Sequence, residues 1–182
     1  MAHQREEPVR QAVAADVPAV KAVTDAAYHP YIERIGVVPQ PMEADHAANV
    51  AEGKVFVTGV TGVTEATEVT EVTGGTGAPG APESPDGTGA GVVGVLVLEA
   101  RADHLFLDSV AVHPDARGRG VGGRLLRFAD ARARALGLPE VRLYTNAMMW
   151  ENQEIYPRYG YEVVERRVDG PYDRVHYRKQ LL

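Results

Sequence analysis

The hydrophobic positions of this chain change rhythm from one segment to the next. Residues 9–13 form a short apolar stretch that predicts a strand. Asp16 then reads as a helix N-cap, with Pro18 in the first turn and Val20, Val23 and Ala27 at helical spacing. Residues 28–41 mix aromatics, prolines and charges without a period, which predicts a loop or a broken helix. A short helix over 42–52 ends at Gly53, and 54–60 reads as a strand. Residues 92–98, V-V-G-V-L-V-L, make an apolar run of strand length, and 105–112 make another, ended by His113-Pro114-Asp115. After Gly123 the period becomes 3.6, with Leu125, Leu126, Ala129, Ala133 and Leu136 on one face, until Gly137 and Pro139 stop the helix. Residues 141–145 predict a strand and 148–159 a helix or helical turn. Residues 161–168 and 175–181 predict a hairpin around Asp169-Gly170. The order β-α-α-β-β-β-α-β-α-β-β predicts an α/β (α+β) fold, a mixed, mostly antiparallel sheet flanked by helices.

Residues 61–91 break every rhythm. The run TGVTEATEVTEVTGGTGAPGAPESPDGTGAG is rich in Thr, Gly, Pro and Glu and has no aromatic residue. It carries too little apolar surface to offset its ordering entropy, which predicts a disordered expansion of the loop between two early strands. The rest of the 182 residues suffices for one core, so 1–182 reads as a single domain carrying a flexible insertion.

Composition narrows the function by exclusion. There is no cysteine, hence no disulfide, thiolate metal site or cysteine nucleophile. No run has signal-peptide or membrane-spanning length, so a cytoplasmic location with no membrane partner is expected. The net charge of −6 argues against a general nucleic-acid binder. Within this acidic chain, residues 114–136 hold six arginines (117, 119, 124, 127, 132, 134) against Asp115 and Asp130.

That basic stretch contains the candidate chemistry. Gly118, Gly120 and Gly122 space a turn whose backbone N–H groups can approach an anion, and the turn opens a helix, where unsatisfied N–H groups and the macrodipole favour phosphate oxygens. A plain turn with solvated arginines is the alternative. The glycines at 118, 120 and 123 also spell G-x-G-x-x-G, but five residues separate them from the preceding strand and the next strand ends Tyr144-Thr145-Asn146 without a carboxylate. A dinucleotide-binding oxidoreductase is therefore the poorer fit. No G-K-[ST] follows, which excludes a P-loop.

The stretch Arg117-Gly118-Arg119-Gly120-Val121-Gly122, preceded by V-A-V-H-P at 110–114, resembles the acetyl-CoA signature of the GNAT N-acetyltransferase superfamily. A strand–helix start at 9–28, the 92–98 strand and a late Y-P-R-Y-G-Y at 156–161 follow in that family's order. The resemblance implies acetyl-CoA as co-substrate and no metal. It implies cofactor contacts from Val110, Ala111, Val112, Arg117, Gly118, Arg119, Gly120, Val121, Gly122 and Gly123, with Asn152 reaching the pantetheine arm. Tyr156 matches the family's general-acid tyrosine, while Tyr159 falls on its apolar packing position. Asp108, two residues before Val110 and on the same face by strand alternation, is the candidate general base or else a structural carboxylate, with Glu33, His29 and Glu154 or a water chain as the alternatives. Tyr28, Tyr31, Glu33, Arg34 and Met42 lie where the family builds its acceptor cleft. The implied partner is a primary amine of a small molecule, amino acid or peptide, attacked directly by a monomer or homodimer. An acetyl-CoA sensor without turnover would keep the glycine turn but not need Tyr156.

Overall fold

A computed structural model of the chain describes residues 5–61 and 91–181. The low-complexity insertion expected over 61–91 lies, from 62 to 90, outside the described residues. The strands are β1 (Arg5–Glu6), β2 (Arg10–Gln11), β3 (Val55–Thr61), β4 (Val92–Ala100), β5 (Leu105–Val112), β6 (Glu140–Asn146), β7 (Glu162–Asp169) and β8 (Tyr172–Gln180). They form one mixed sheet in the order β1-β3-β4-β5-β6-β8-β7, with β2 also paired to β3. Only β5 and β6 are parallel. The helices are α1 (Val17–Tyr28), α2 (Tyr31–Ile35), α3 (Gln40–Glu43), α4 (His46–Ala51), α5 (Val121–Ala135) and α6 (Trp150–Arg158).

The unbroken apolar run of β4 is explained by burial on both faces. Leu96 and Leu98 pack with Leu125, Leu126, Ala129 and Ala133 of α5, while Val95 and Val97 pack with Val20, Val23 and Ala27 of α1. β5 continues both layers but changes parity part-way. Val97 faces Ser109 and Leu98 faces Leu107, so Asp108 is the extra residue of a β-bulge. Before it, Leu105 and Leu107 join the α5 side; after it, Val110 and Val112 do so, and Ala111 turns to the α1 side. Strict alternation would have put Asp108 and Val110 on one face. The bulge separates them.

Other expectations shift or are sharpened. The helix expected over 42–52 is two pieces, because Ala44 is extended (ψ 146°). The aperiodic 28–41 segment is a broken helix, as one of its two readings had it: it holds α2, closed by Gly36 in the left-handed region, and the start of α3. α5 starts at Val121 rather than after Gly123, with Gly120 at φ 78° as its N-cap. Leu136 follows the end of that helix and stays 43% exposed. Asp16 stands at the head of α1, but its carboxylate does not cap that helix. It accepts from the Val13 N–H at 2.9 Å and from both terminal nitrogens of Arg10, at 2.7 and 2.9 Å. Among the described residues no helix is long and apolar enough to cross a membrane.

Candidate active site

β5 and β6 pair only at Leu105↔Val141 and Phe106↔Arg142, and beyond those residues the ladder stops. Two cavities meet in the opening that this leaves, sharing Tyr28, Val110, Met149, Asn152 and Tyr156. The larger, about 690 Å³, runs past Val112 to Arg117 and the glycine turn, and is walled on the far side by Ile155, Arg158 and Tyr159 of α6 and the residue after it. The smaller, about 110 Å³, runs past Asp108 and Ser109 to Tyr144, Tyr172 and Arg174.

The glycine turn is built for close approach. Gly118 and Gly120 stand at φ 75° and 78°, where a side chain is strained. A Cβ on either would meet no atom of the protein within 4 Å. The conformation and the open space together leave a cradle for something outside the chain. Behind it, the first-turn N–H groups of Val121, Gly122 and Gly123 have no carbonyl one turn back within α5, and they carry the positive end of a 15-residue helix. Gly123 is required for another reason: a Cβ there would collide with the Tyr159 hydroxyl. Arg117 lines the groove and donates from Nη2 to the Ala27 carbonyl at 3.2 Å, tying the turn to the end of α1.

At the junction, three phenols are held differently. Tyr28 donates to the Val110 carbonyl at 3.1 Å and lies 3.4 Å from Ser109 Oγ; burial pushes its pKa up to about 12. The His113 N–H donates to the Val93 carbonyl of β4, so by alternation the main-chain groups of Ala111 face β4 and the Val110 carbonyl, bonded to Tyr28, faces the other edge. In an extended strand the N–H and C=O of one residue face the same edge, so the Val110 N–H also points into the opening. Tyr156 is buried, 5% exposed, with its ring packed on Tyr161 and Tyr177 at 5.6 and 5.4 Å. Its hydroxyl makes no hydrogen bond to the described residues, and burial raises its pKa well above the usual phenol value. Tyr159 lies along the groove against Gly123. Asn152 donates to Thr145 Oγ1 at 3.0 Å, which fixes its amide between the two cavities.

Asp108 lines the smaller cavity and remains exposed on its open side; its carboxyl pKa is raised, first by desolvation and then by the charge of Glu99, against opposing Lys54 and Arg101. The bulge therefore brings it to the same chamber as Tyr156 without putting it on Val110's face.

The other residues proposed from sequence divide. Val110, Val112, Val121, Gly122 and Tyr31 line the groove beside those already placed. Ala111 is 1% exposed in the α1 core, and its side chain lines neither cavity. Arg119 and Glu33 are exposed and, with Met42, lie outside both linings. Arg34 is a tether, not a lining residue: Nη1 reaches both Glu151 oxygens at 2.8 Å, and its guanidinium lies 3.9 Å from the Trp150 ring. It joins α2 to the start of α6. Sequence reasoning missed Gln40, Tyr144, Tyr172 and Arg174 in the smaller cavity. Tyr172 and Arg174 lie two apart on β8, with Asn146 opposite Arg174 and Tyr144 opposite His176, so strand alternation carried a signal once the register was known.

Residues 86–163 match the family model described as an acetyltransferase (GNAT) domain. Over that segment the chain is similar to GNAT acetyltransferases. No curated protein matches it in sequence. Solved GNAT structures share its fold at low identity. One is the PaiA N-acetyltransferase from Thermoplasma acidophilum in complex with coenzyme A, 16% identical over 97% of this chain and 99% of that one, with a TM-score of 0.66. Another is a GNAT family acetyltransferase from Listeria monocytogenes, 15% identical over 100% of this chain and 98% of that one, with a TM-score of 0.63. The matched segment spans β4, β5, the glycine turn, α5, β6 and α6, which supply most of the lining of the larger cavity; Tyr28, Gln40, Tyr172 and Arg174 lie outside it.

Proposed function

We propose that the protein is an acetyl-CoA-dependent N-acetyltransferase of the cytoplasm that moves an acetyl group to a primary amine by direct attack. The observation that carries this reading is the meeting of two unlike cavities at one opening in the sheet, with a phenol and a backbone N–H at the junction. The long groove fits CoA. The cradle at Gly118 and Gly120 and the head of α5 suit a pyrophosphate, and the unpaired edge of β5 at Val110 and Val112 suits the amide-rich pantetheine arm, bound as an added strand. Asn152 supplies a fixed amide along that path.

The acceptor amine enters from the smaller cavity and must be neutral to attack. Asp108, with its raised pKa, receives the amine proton directly or through water. The Val110 N–H faces the charge that develops on the carbonyl oxygen; an aimed donor of this kind is worth about 10²–10³ in rate. Tyr156 then gives its proton to the departing thiolate, and its high pKa keeps that proton in place at neutral pH. No cysteine is available to form an acyl-enzyme.

Calorimetry with acetyl-CoA tests the groove, and thiol release with a panel of primary amines tests the transfer. Binding weakened by salt and by loss of the 3′-phosphate is expected, as is loss of binding in a folded Gly120→Val variant, whose branched side chain would fill the cradle. Binding without turnover of any amine would make the protein a sensor. Unchanged affinity in Gly120→Val would remove the cradle from the reading.

A further inference from the structure

The smaller cavity contains two charged side chains among its lining, and they are of opposite sign: Asp108 and Arg174. The Arg174 guanidinium is stacked over Tyr144 at 4.5 Å and Tyr172 at 4.8 Å. Nη2 donates to Gln40 Oε1 at 2.8 Å, and Nη1 donates to Asp169 Oδ2 at 3.3 Å. Asp169 is shared with Arg167 at 3.2 Å, so it anchors the Arg174 head without being its dedicated counter-ion. A guanidinium has five N–H groups in a planar fork, and two are used here. The two ring contacts consume none of its N–H groups. The side chain, 14% exposed, is thus held rigid with donors left over beside the place where the acceptor must sit.

We propose that Arg174 selects acceptors that carry a carboxylate as well as the amine, as an α-amino acid or a short amino-carboxylate does. One planar fork, with no second cation in the lining, matches a singly charged carboxylate better than a phosphate monoester. The small chamber, about 110 Å³, suits an acceptor of few heavy atoms. Such an acceptor spans the cavity with its carboxylate on Arg174 and its amine toward Asp108 and the junction. This inference rests on acetyl transfer taking place at that junction.

The test compares acceptors that differ only in the anionic group: each α-amino acid, its primary amide and the corresponding decarboxylated amine, with acetyl-CoA and the full chain. The expected result is a kcat/KM roughly ten- to hundredfold higher for the acid of at least one series, the size of one charge-assisted contact. In Arg174→Gln the ratio of kcat/KM for acid over amide, read within the variant, falls toward one through the KM of the acid; Arg174→Lys restores part of it. Wild-type acetylation of amides and amines as fast as acids overturns the carboxylate assignment and leaves the transferase reading standing. So does a preference that survives Arg174→Gln. Absence of turnover with every amine overturns both. The wild-type comparison requires no variant to fold.

Discussion

At the scale of single residues, the junction holds one hydroxyl with freedom to act. Tyr28 is engaged with the Val110 carbonyl and Tyr159 is packed on Gly123, whereas the Tyr156 hydroxyl has no partner among the described residues and faces both cavities. Tyr156→Phe removes the proton and keeps the ring contacts with Tyr161 and Tyr177. The fold and acetyl-CoA affinity should be unchanged, and kcat should drop about 10²-fold. Steady-state rates and calorimetry on one preparation check this. A variant with wild-type kcat would reduce Tyr156 to a packing residue and leave solvent to protonate the thiolate. A weakened affinity would instead mean that the hydroxyl holds the pantetheine arm.

At the scale of elements, the head of α1 is fixed by an ion pair that the sequence did not announce. Asp16 is fully buried, and Arg10 from β2 closes on it with two hydrogen bonds. This pair sets the helix whose far end delivers Tyr28 to the junction. Arg10→Ala leaves a buried carboxylate with only the Val13 N–H, at a cost of about 3 kcal/mol, whereas Asp16→Asn removes the charge with its partner's role and should cost less. The Arg10 hydrogen bond holds the Asp16 pKa below the usual carboxylate value. Its stabilisation is therefore complete above that usual value and is lost as pH falls toward the folded one. Urea unfolding from pH 7 down to pH 3 should show wild type losing its advantage over Arg10→Ala across that window. Losses below about 1 kcal/mol for both substitutions at pH 7 would show that the pair contributes no more than a surface contact. Asp16 also shows how far local pattern reaches. Its position ahead of Pro18 placed the start of α1 within a residue, but spacing alone could not show that the carboxylate points back to β2. The glycine turn was legible because its glycines, arginines and helix start are contiguous. Asp108's place was not, since a bulge depends on what β4 offers opposite it. Arg174 was missed because it comes to Tyr144 only through the β6–β8 register.

At the scale of the whole molecule, the core beneath the site is loaded with phenols. Tyr28, Tyr156 and Tyr161 all have raised pKa values, in each case chiefly through burial, and Asp130 adds to the shift at Tyr161. In the unfolded chain a phenol titrates near 10. The folded state thus holds these protons more tightly. The associated stability is complete below about pH 10 and declines as pH rises from there toward the folded values. The Tyr161 hydroxyl separates this effect from general alkaline unfolding, since it is buried without a hydrogen-bond partner among the described residues. Replacing it with Phe removes an unpaired polar group and one of the tightly held protons, at no loss of ring packing against Tyr156. At pH 7 the Tyr161→Phe protein should match or exceed wild type by up to about 1 kcal/mol. Between pH 9 and pH 12 it should lose less stability than wild type. Guanidinium unfolding at both ends of that range measures the difference. A variant weaker than wild type at pH 7 with the same alkaline decline would mean that the hydroxyl is satisfied in solution, and that the pH dependence resides in Tyr28 and Tyr156 instead.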